Sequence, residues 1–267
     1  MSIEELGRPS LAETLKVLRM LRDTFGVRMN YDQIQLNGYK KIVQTGWRIV
    51  DVGAHDGRHT AEFLRLVGPT GYVHAFEPIP EKFIAIQALE AAHINLKTHN
   101  IALSDVIGEA EFFVVKGALE ESGLRQRIYN NQEIANPIAI TTSVKTLDAM
   151  ADTIGKVDLL KIDVEGAELN VLNGANELIK KSRPIIYTEY GCGAYSSYGR
   201  NAEDLFLFFS DLKYVALDLF GNVIDSLSCW KSVCDYVYWD YIFVPNEKID
   251  PSQNFWSIPT KLPGTLG

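Results

Sequence analysis

Cysteine is scarce in this chain of 267 residues: there are three, Cys192, Cys229 and Cys234. An odd number without a paired metal-site spacing argues against both a disulfide framework and a zinc site, so the thiols are expected to be buried or idle. Positive charge is short as well. Against 34 Asp and Glu stand 26 Lys and Arg, a formal net charge of −8, whereas a protein whose main partner is a phosphate backbone carries a clustered Lys/Arg excess. No nucleic-acid partner is expected. No uninterrupted apolar run approaches the ~18 residues of a spanning helix. The N-terminal MSIEELGRPSLAETL is acidic and helical in pattern, where a secretory leader is basic and then apolar. The expectation is a cytoplasmic protein with no membrane partner. Internal repeats, low-complexity tracts and a linker that would divide the chain are missing too.

What is present is an ordinary composition, 46% hydrophobic and 22% charged, able to bury one sizeable core or two small ones without covalent staples. Leu11, Leu15, Leu18, Leu21 and Phe25 recur at helical spacing, with Ser10 placed to cap the helix and Gly26 to stop it. Residues 1–45 thus read as a helical lead-in. Compact apolar segments then alternate with helical ones: WRIVDVGA, TAEFLRLV, GYVHAFEP, EKFIAIQALEAAH, NLKTHNIAL. Later, VDLLKIDVEG precedes a helical AELNVLNGANELIKK, and RPIIYTEYG precedes AEDLFLFFSDL. Such alternation predicts parallel strands joined by crossover helices. YVALDLFGNVID and DYVYWDYIFVP follow with no convincing helix between them and are expected to pair antiparallel at one sheet edge. Residues 109–146 read as a hairpin with a long polar tip, and insertions of this kind often shape substrate pockets.

In IVDVGAHDGRHT an apolar strand stops at an acid and enters a turn containing Gly53, Ala54, His55, Asp56 and Gly57. Glycine there admits close approach of backbone to a ligand, and open α/β sheets bind ligands beyond the carboxyl ends of their strands. Glu77, closing GYVHAFEP, is placed to accept hydrogen bonds from two ribose hydroxyls. The spacing separates two nucleotide-like ligands. From Gly53 onward, a dinucleotide fingerprint G-x-G-x-x-G would need glycine where His55 and Arg58 stand. S-adenosylmethionine carries no phosphate and needs only backbone closeness and an acidic hydroxyl acceptor, with Asp51 placed to receive its ammonium. Ser104 and Asp105, closing the third strand in NIALSD, are suited to an adenine edge or simply to a turn. Asp163, Glu165 and Glu168 cluster where KIDVEGAELN passes from strand to helix; a helix N-terminus accounts for Glu168 but less well for Asp163.

The segments DVGAHDG, AFEP, NIALSDVIGEAEF, SVKTLDAM and DLLKIDVEGAELNVLNGA resemble the FkbM family of S-adenosylmethionine-dependent methyltransferases over about residues 48 to 190. The resemblance implies a class I methyltransferase (Rossmann-like) α/β fold. That fold is a mostly parallel seven-stranded sheet with helices on both faces and an antiparallel last strand. It would occupy residues 46–250, with 116–137 as a substrate-side insertion and 251–267 as a C-terminal tail. It also implies methylation of a hydroxyl on a sugar, polyketide or other secondary metabolite, with S-adenosylhomocysteine as product. Cofactor roles would fall to the turn Gly53–Gly57, to Glu77 with Pro78, and to Ser104 and Asp105. The acceptor, the oligomeric state and the roles of 1–45 and the tail are left open.

Methyl transfer to an alcohol needs alignment with the S–CH₃ bond and a group to take the proton. Asp163 and Glu165 rank first as base and Glu189, ending IIYTE, next. A divalent ion bridging these acids is a second possibility that the D-x-E spacing does not establish, so no metal is predicted. In YGCGAYSSYGR, Tyr190, Tyr195 and Tyr198 between glycines either stack on a sugar or are incidental. Arg125 and Arg127 either hold an anionic group on the acceptor or face solvent. Competing functions are a scaffold that keeps the fold without the chemistry, and a nicotinamide-dependent oxidoreductase, which the glycine spacing disfavours.

Overall fold

A computed structural model describes residues 11–129 and 131–249; the Ser10 cap and the tail from 251 lie outside the described residues. The strands, in chain order, are β1 (Arg48–Val52), β2 (Tyr72–Phe76), β3 (Leu96–His99), β4 (Ala102–Leu103), β5 (Gly108–Val115), β6 (Pro137–Lys145), β7 (Leu159–Ile162), β8 (Ile185–Glu189), β9 (Tyr214–Asp218), β10 (Val223–Ile224) and β11 (Asp240–Pro245). One sheet runs β10-β9-β11-β8-β7-β1-β2-β3. Its strands are parallel from β3 through β8, and β11 is antiparallel to both β8 and β9. All seven expected strands are there, and two-residue β10 adds an eighth at the edge.

The central strands are buried on both faces, which is why they read as unbroken apolar runs. Alternate residues divide between two cores. Val50, Val52, Leu160, Ile162 and Ile186 face one side with Leu172, Phe209 and Trp230. Ile49, Leu159, Ile185 and Tyr187 face the other with Tyr39, Phe63 and Ile86. The helix Leu11–Phe25 seats Leu15 and Leu18 in the first core and ends at Gly26 (φ 63°), while Tyr31–Ile42 seats Tyr39 in the second.

Three local expectations are corrected. NLKTHNIAL is not one strand: β3 ends at His99, Asn100 donates to the carbonyls of Glu77 (2.8 Å) and Pro78 (3.2 Å), and the chain crosses to β4 in a second sheet, β4-β6-β5. The helical AELNVLNGANELIKK breaks at Gly174, where a Cβ would lie 2.0 Å from the Ser104 carbonyl oxygen. And a helix, Leu227–Val233, does stand between the two late strands, capped by Ser226, whose hydroxyl accepts from the Cys229 N–H. At seven residues it is too short to show a convincing period. The expected hairpin is present as antiparallel β5 and β6. Cys192, Cys229 and Cys234 are all free thiols. Among the described residues no helix is long and apolar enough to cross a membrane.

Candidate functional site

Strand order reverses between β1 and β7, and a cavity of about 420 Å³ opens beyond the carboxyl ends of β1, β2 and β7, the place and the size expected of a small-molecule site in such a sheet. The β1 turn, Glu77 and Pro78 form one wall and Asp163 and Glu165 another; Ala102 and Phe112 of the second sheet face them, and Leu119, Ser122 and Leu124 of the hairpin tip complete the lining.

The glycines of the β1 turn answer to packing. A Cβ on Gly53 (φ 76°) would sit 1.8 Å from the Asp163 carbonyl oxygen, and one on Gly57 (φ 84°) 2.7 Å from Leu89 Cδ1 and 2.9 Å from Ile86 Cγ2. The turn therefore lets the ends of β1 and β7 and the helix Pro80–Ala92 close up; Gly53 still lines the cleft and Gly57 does not. His55, also left-handed (φ 51°), donates its backbone N–H to Glu77 Oε2 at 2.8 Å instead of offering it to the cleft. Its ring Nε2 is buried without a hydrogen-bond partner, and burial lowers its pKa, so it is neutral at pH 7. Glu77 Oε1 accepts the Ile79 N–H at 2.9 Å. Two backbone donors thus fix this carboxylate and leave further acceptor positions. Burial raises its pKa to about 7.

Strand periodicity gathers the remaining charges. Asp51 and Lys161 are register partners on β1 and β7, and Lys161 and Asp163, two apart, share a face. Lys161 Nζ lies 3.2 Å from Asp163 Oδ2 and 3.6 Å from Asp51 Oδ1, and Thr60 donates to Asp51 Oδ2 at 2.7 Å. Asp51 is fully buried beneath the cleft, not on its wall, so its carboxylate answers Lys161 and Thr60. Its pKa is raised by burial. The Asp163 pKa is lowered: burial opposes ionisation, but the Lys161 ammonium overcomes it.

One oxygen from each of Asp163, Glu165 and Glu189 lies within 4.8 Å of the others. Burial, then the adjacent acids, push the Glu189 pKa well above its ordinary value, and it does not line the cleft. Burial, then Asp163, raises Glu165 to about 8 against the pull of Arg127. The three acids have the proximity to admit a cation, but Lys161 and Arg127 already face them.

Several sequence-predicted residues fall elsewhere. Ser104 and Asp105 follow β4, not the third strand, and stand off the cleft: Ser104 Oγ and Asn170 Nδ2 both donate to Asp105 Oδ1 at 3.0 Å. Ile101, Ala102 and Leu103 line the cleft in their place. Tyr190 and Tyr195 are core residues, 3% and 1% exposed, packed edge to face with each other and, through Tyr190, on Trp230. Arg125 lies over the Tyr198 ring and donates to the Ser197 carbonyl, whereas Arg127 is partly buried against Glu165. Sequence reasoning missed that Lys161, a cation inside an otherwise apolar strand, faces Asp51 as well as Asp163. It also missed His59 and the Arg58–Asp32 pair (2.8 Å), which line the cleft beside the helix Tyr31–Ile42.

The model of the methyltransferase FkbM domain matches residues 51–237. The 2-O-methyltransferase NoeI of Sinorhizobium fredii (strain NBRC 101917 / NGR234) is 28% identical over 155 residues, 53% of this chain and 62% of that protein. The 31-O-demethyl-FK506 methyltransferase FkbM of Streptomyces tacrolimicus is 28% identical over 155 residues, 48% of this chain and 59% of its own length. The matched part of the chain thus spans about three fifths of these curated relatives. A crystal structure of a methyltransferase FkbM from Methylobacillus flagellatus KT aligns with a TM-score of 0.47 at 14% identity, over 86% of this chain and 57% of that one. With a family model matching well over half its length, this chain belongs to the FkbM methyltransferase family.

Proposed function

We propose that the protein is an S-adenosylmethionine-dependent O-methyltransferase acting on a hydroxyl of a small molecule: a sugar, polyketide or other secondary metabolite. The observation that carries this reading is the pairing, across one cleft, of a carboxylate pinned by two backbone donors, Glu77, with the acidic corner Asp163–Glu165. The orphaned His55 Nε2 in the same wall fits a polar ligand. The cleft's cations are already paired, Arg58 with Asp32 and Lys161 with Asp51 and Asp163, which suits a cationic cofactor better than a pyrophosphate. Both curated relatives carry names that specify O-methylation.

Bound S-adenosylmethionine supplies an electrophilic methyl group on a sulfonium. Glu77 would hold the ribose hydroxyls, and the turn from Gly53 to Asp56 would border the amino-acid portion. The chain's acids then divide the work, because their surroundings drive their pKa values apart. Asp163, kept ionised by Lys161, is a fixed negative charge facing the cleft. Glu165, at about 8, is matched to taking the acceptor's hydroxyl proton near neutral pH. Alignment of the acceptor supplies much of the remaining acceleration. Calorimetry with S-adenosylmethionine and with NAD, followed by a labelled-methyl screen over sugar, nucleotide-sugar and polyketide alcohols, tests the assignment. NAD binding in preference, or no methyl acceptor with the sulfonium bound, would sink it. Glu165→Gln should cut turnover by about 100-fold or more, the contribution typical of a positioned base, with cofactor affinity retained.

A further inference from the structure

We propose that Arg127, carried on the tip of the β5–β6 hairpin, is a positioning residue that fixes the Glu165 carboxylate at the cleft, so that the hairpin builds the reacting end of the site. The proposal rests on the reading of Glu165 as proton acceptor. Its ground is geometric. Arg127 Nη2 lies 2.8 Å from Glu165 Oε2 and 3.8 Å from Glu121 Oε2, with side-chain exposures of only 12%, 20% and 8% for the three residues. Two elements distant in sequence meet there: the tip, whose Leu119, Ser122 and Leu124 line the cavity, and the corner after β7.

The corner's backbone is held independently of the arginine. Glu165 is left-handed (φ 59°) and is followed by Gly166 (φ 103°), whose Cβ would lie 2.7 Å from Ala194 backbone atoms. Glu168 Oε1 accepts the N–H groups of Val164 (3.0 Å) and Gly166 (3.1 Å), clamping the chain on both sides of Glu165. The Glu165 side chain, by contrast, is ion-paired with Arg127. The acids facing it are Asp163 on its own segment, Glu168 from the next helix, Glu189 from β8 and Glu121 from the hairpin; Arg127 is the cation paired with it, while Lys161 is paired with Asp163 and Asp51. Loss of Arg127 therefore favours the protonated form, which accepts no proton. Arg125, on the same tip, reaches Tyr198 and Ser197 and has no part in this pair.

The test is carboxyl titration by NMR of cofactor-free protein labelled at glutamate, with Glu165→Gln used to assign the signal. It compares the parent with Arg127→Met and Arg127→Lys. The Glu165 midpoint should move up by about 1–3 pH units in Arg127→Met, the effect of an opposite charge at this range, and return toward the parent in Arg127→Lys. Turnover at pH 7 should fall by about tenfold per unit of that movement and recover on the alkaline side, with the cofactor KM unchanged. An unmoved midpoint in a folded Arg127→Met protein overturns the proposal. If that variant does not fold, Arg127→Gln, which also removes the charge, takes its place, and an unmoved midpoint there together with parent-like turnover at pH 7 overturns it equally. Parent-like turnover in Glu165→Gln instead removes Glu165 as the base while leaving the titration result standing, so the two failures are distinguishable.

Discussion

Replacing Lys161 by Met keeps the apolar stem inside β7 and deletes the ammonium that faces both Asp51 and Asp163. The side chain is 3% exposed and Asp51 is 0% exposed, so at neutral pH the variant strands a carboxylate with no water to solvate it. Breaking a buried pair by removing one partner typically costs about 3–5 kcal/mol. Asp163, 40% exposed toward the cleft, is screened and contributes the smaller share. At about 2–4 °C per kcal/mol for a domain of this size, the melting temperature should fall by roughly 6–20 °C. The sign of its pH dependence follows. Without Lys161 the Asp51 pKa, already raised by burial, climbs further and that of Asp163 rises from its lowered value; for acids raised above their unfolded values stability is present below the unfolded pKa and lost as pH rises through the folded one. The deficit relative to the parent should thus be small near pH 4 and grow toward pH 8. Paired denaturation curves at the two pH values measure it, and Asp51→Asn added to Lys161→Met should restore part of the loss. A deficit under about 1 kcal/mol at pH 8, below even the usual cost of an unpaired buried group, or one that does not change with pH, would refute the reasoning.

Glu77→Gln should weaken S-adenosylmethionine binding by about 1–3 kcal/mol, because an amide cannot accept from both the His55 and Ile79 N–H groups and still serve two hydroxyls; unchanged affinity by calorimetry removes Glu77 from the ribose role. Gly53→Ala should lower thermal stability even without cofactor, since its Cβ would meet the Asp163 carbonyl at 1.8 Å; a parent-like melting temperature with lost binding would return the glycine to a ligand role. Glu77, Glu168 and Asp240, raised by burial to about 7, bind protons in the native state above their unfolded pKa values, so they favour folding below about 4.5 and lose that contribution as pH rises through 7. His59, lowered to about 3, and His74 and His99, lowered to about 4, favour the native state above about 6.5 and lose that as pH falls. Stability of the cofactor-free protein should therefore decline between pH 7 and 8, where the histidines have nearly completed their change and the acids dominate; melting curves that rise over this interval contradict it.

The sheet was legible because its strands are buried on both faces and so appear as apolar blocks punctuated by turns: IVDV, YVHAF, LLKI and IIYTE sit side by side as their spacing implied. Glu77, Asp163 and Glu165 were legible as acids closing such blocks. Partner choice was not. Nothing local distinguishes Arg127, which pairs with an acid 38 positions away, from Arg125, which packs on Tyr198. Asp51 and Lys161 meet only because β7 lies beside β1 in register. Ser104 and Asp105 misled because Asn100 ends the third strand early, and a two-residue continuation in another sheet has no signature of its own. The tyrosines of the segment after β8 carry the composition of a stacking loop, yet Trp230, on a helix too short to recognise, buries Tyr190.

The family match begins at residue 51, and the helix Tyr31–Ile42 lies wholly before it. That helix nevertheless reaches the cleft. Asp32 pairs with Arg58 at the rim (2.8 Å), Gln35 donates to Asp240 Oδ1 (3.2 Å), and Tyr39 Oη lies 3.2 Å from His59 Nδ1 while its ring packs on Phe63 and Tyr187. Each contact sets a charge. Arg58 is neutralised where a free cation would oppose a sulfonium. Asp240, with a pKa of about 7, is held by an amide that can satisfy it in either protonation state. His59, buried beside Lys161, stays neutral at every working pH, so it adds no positive charge near Asp163. The acidity of the cleft is thus maintained partly from a segment outside the matched region.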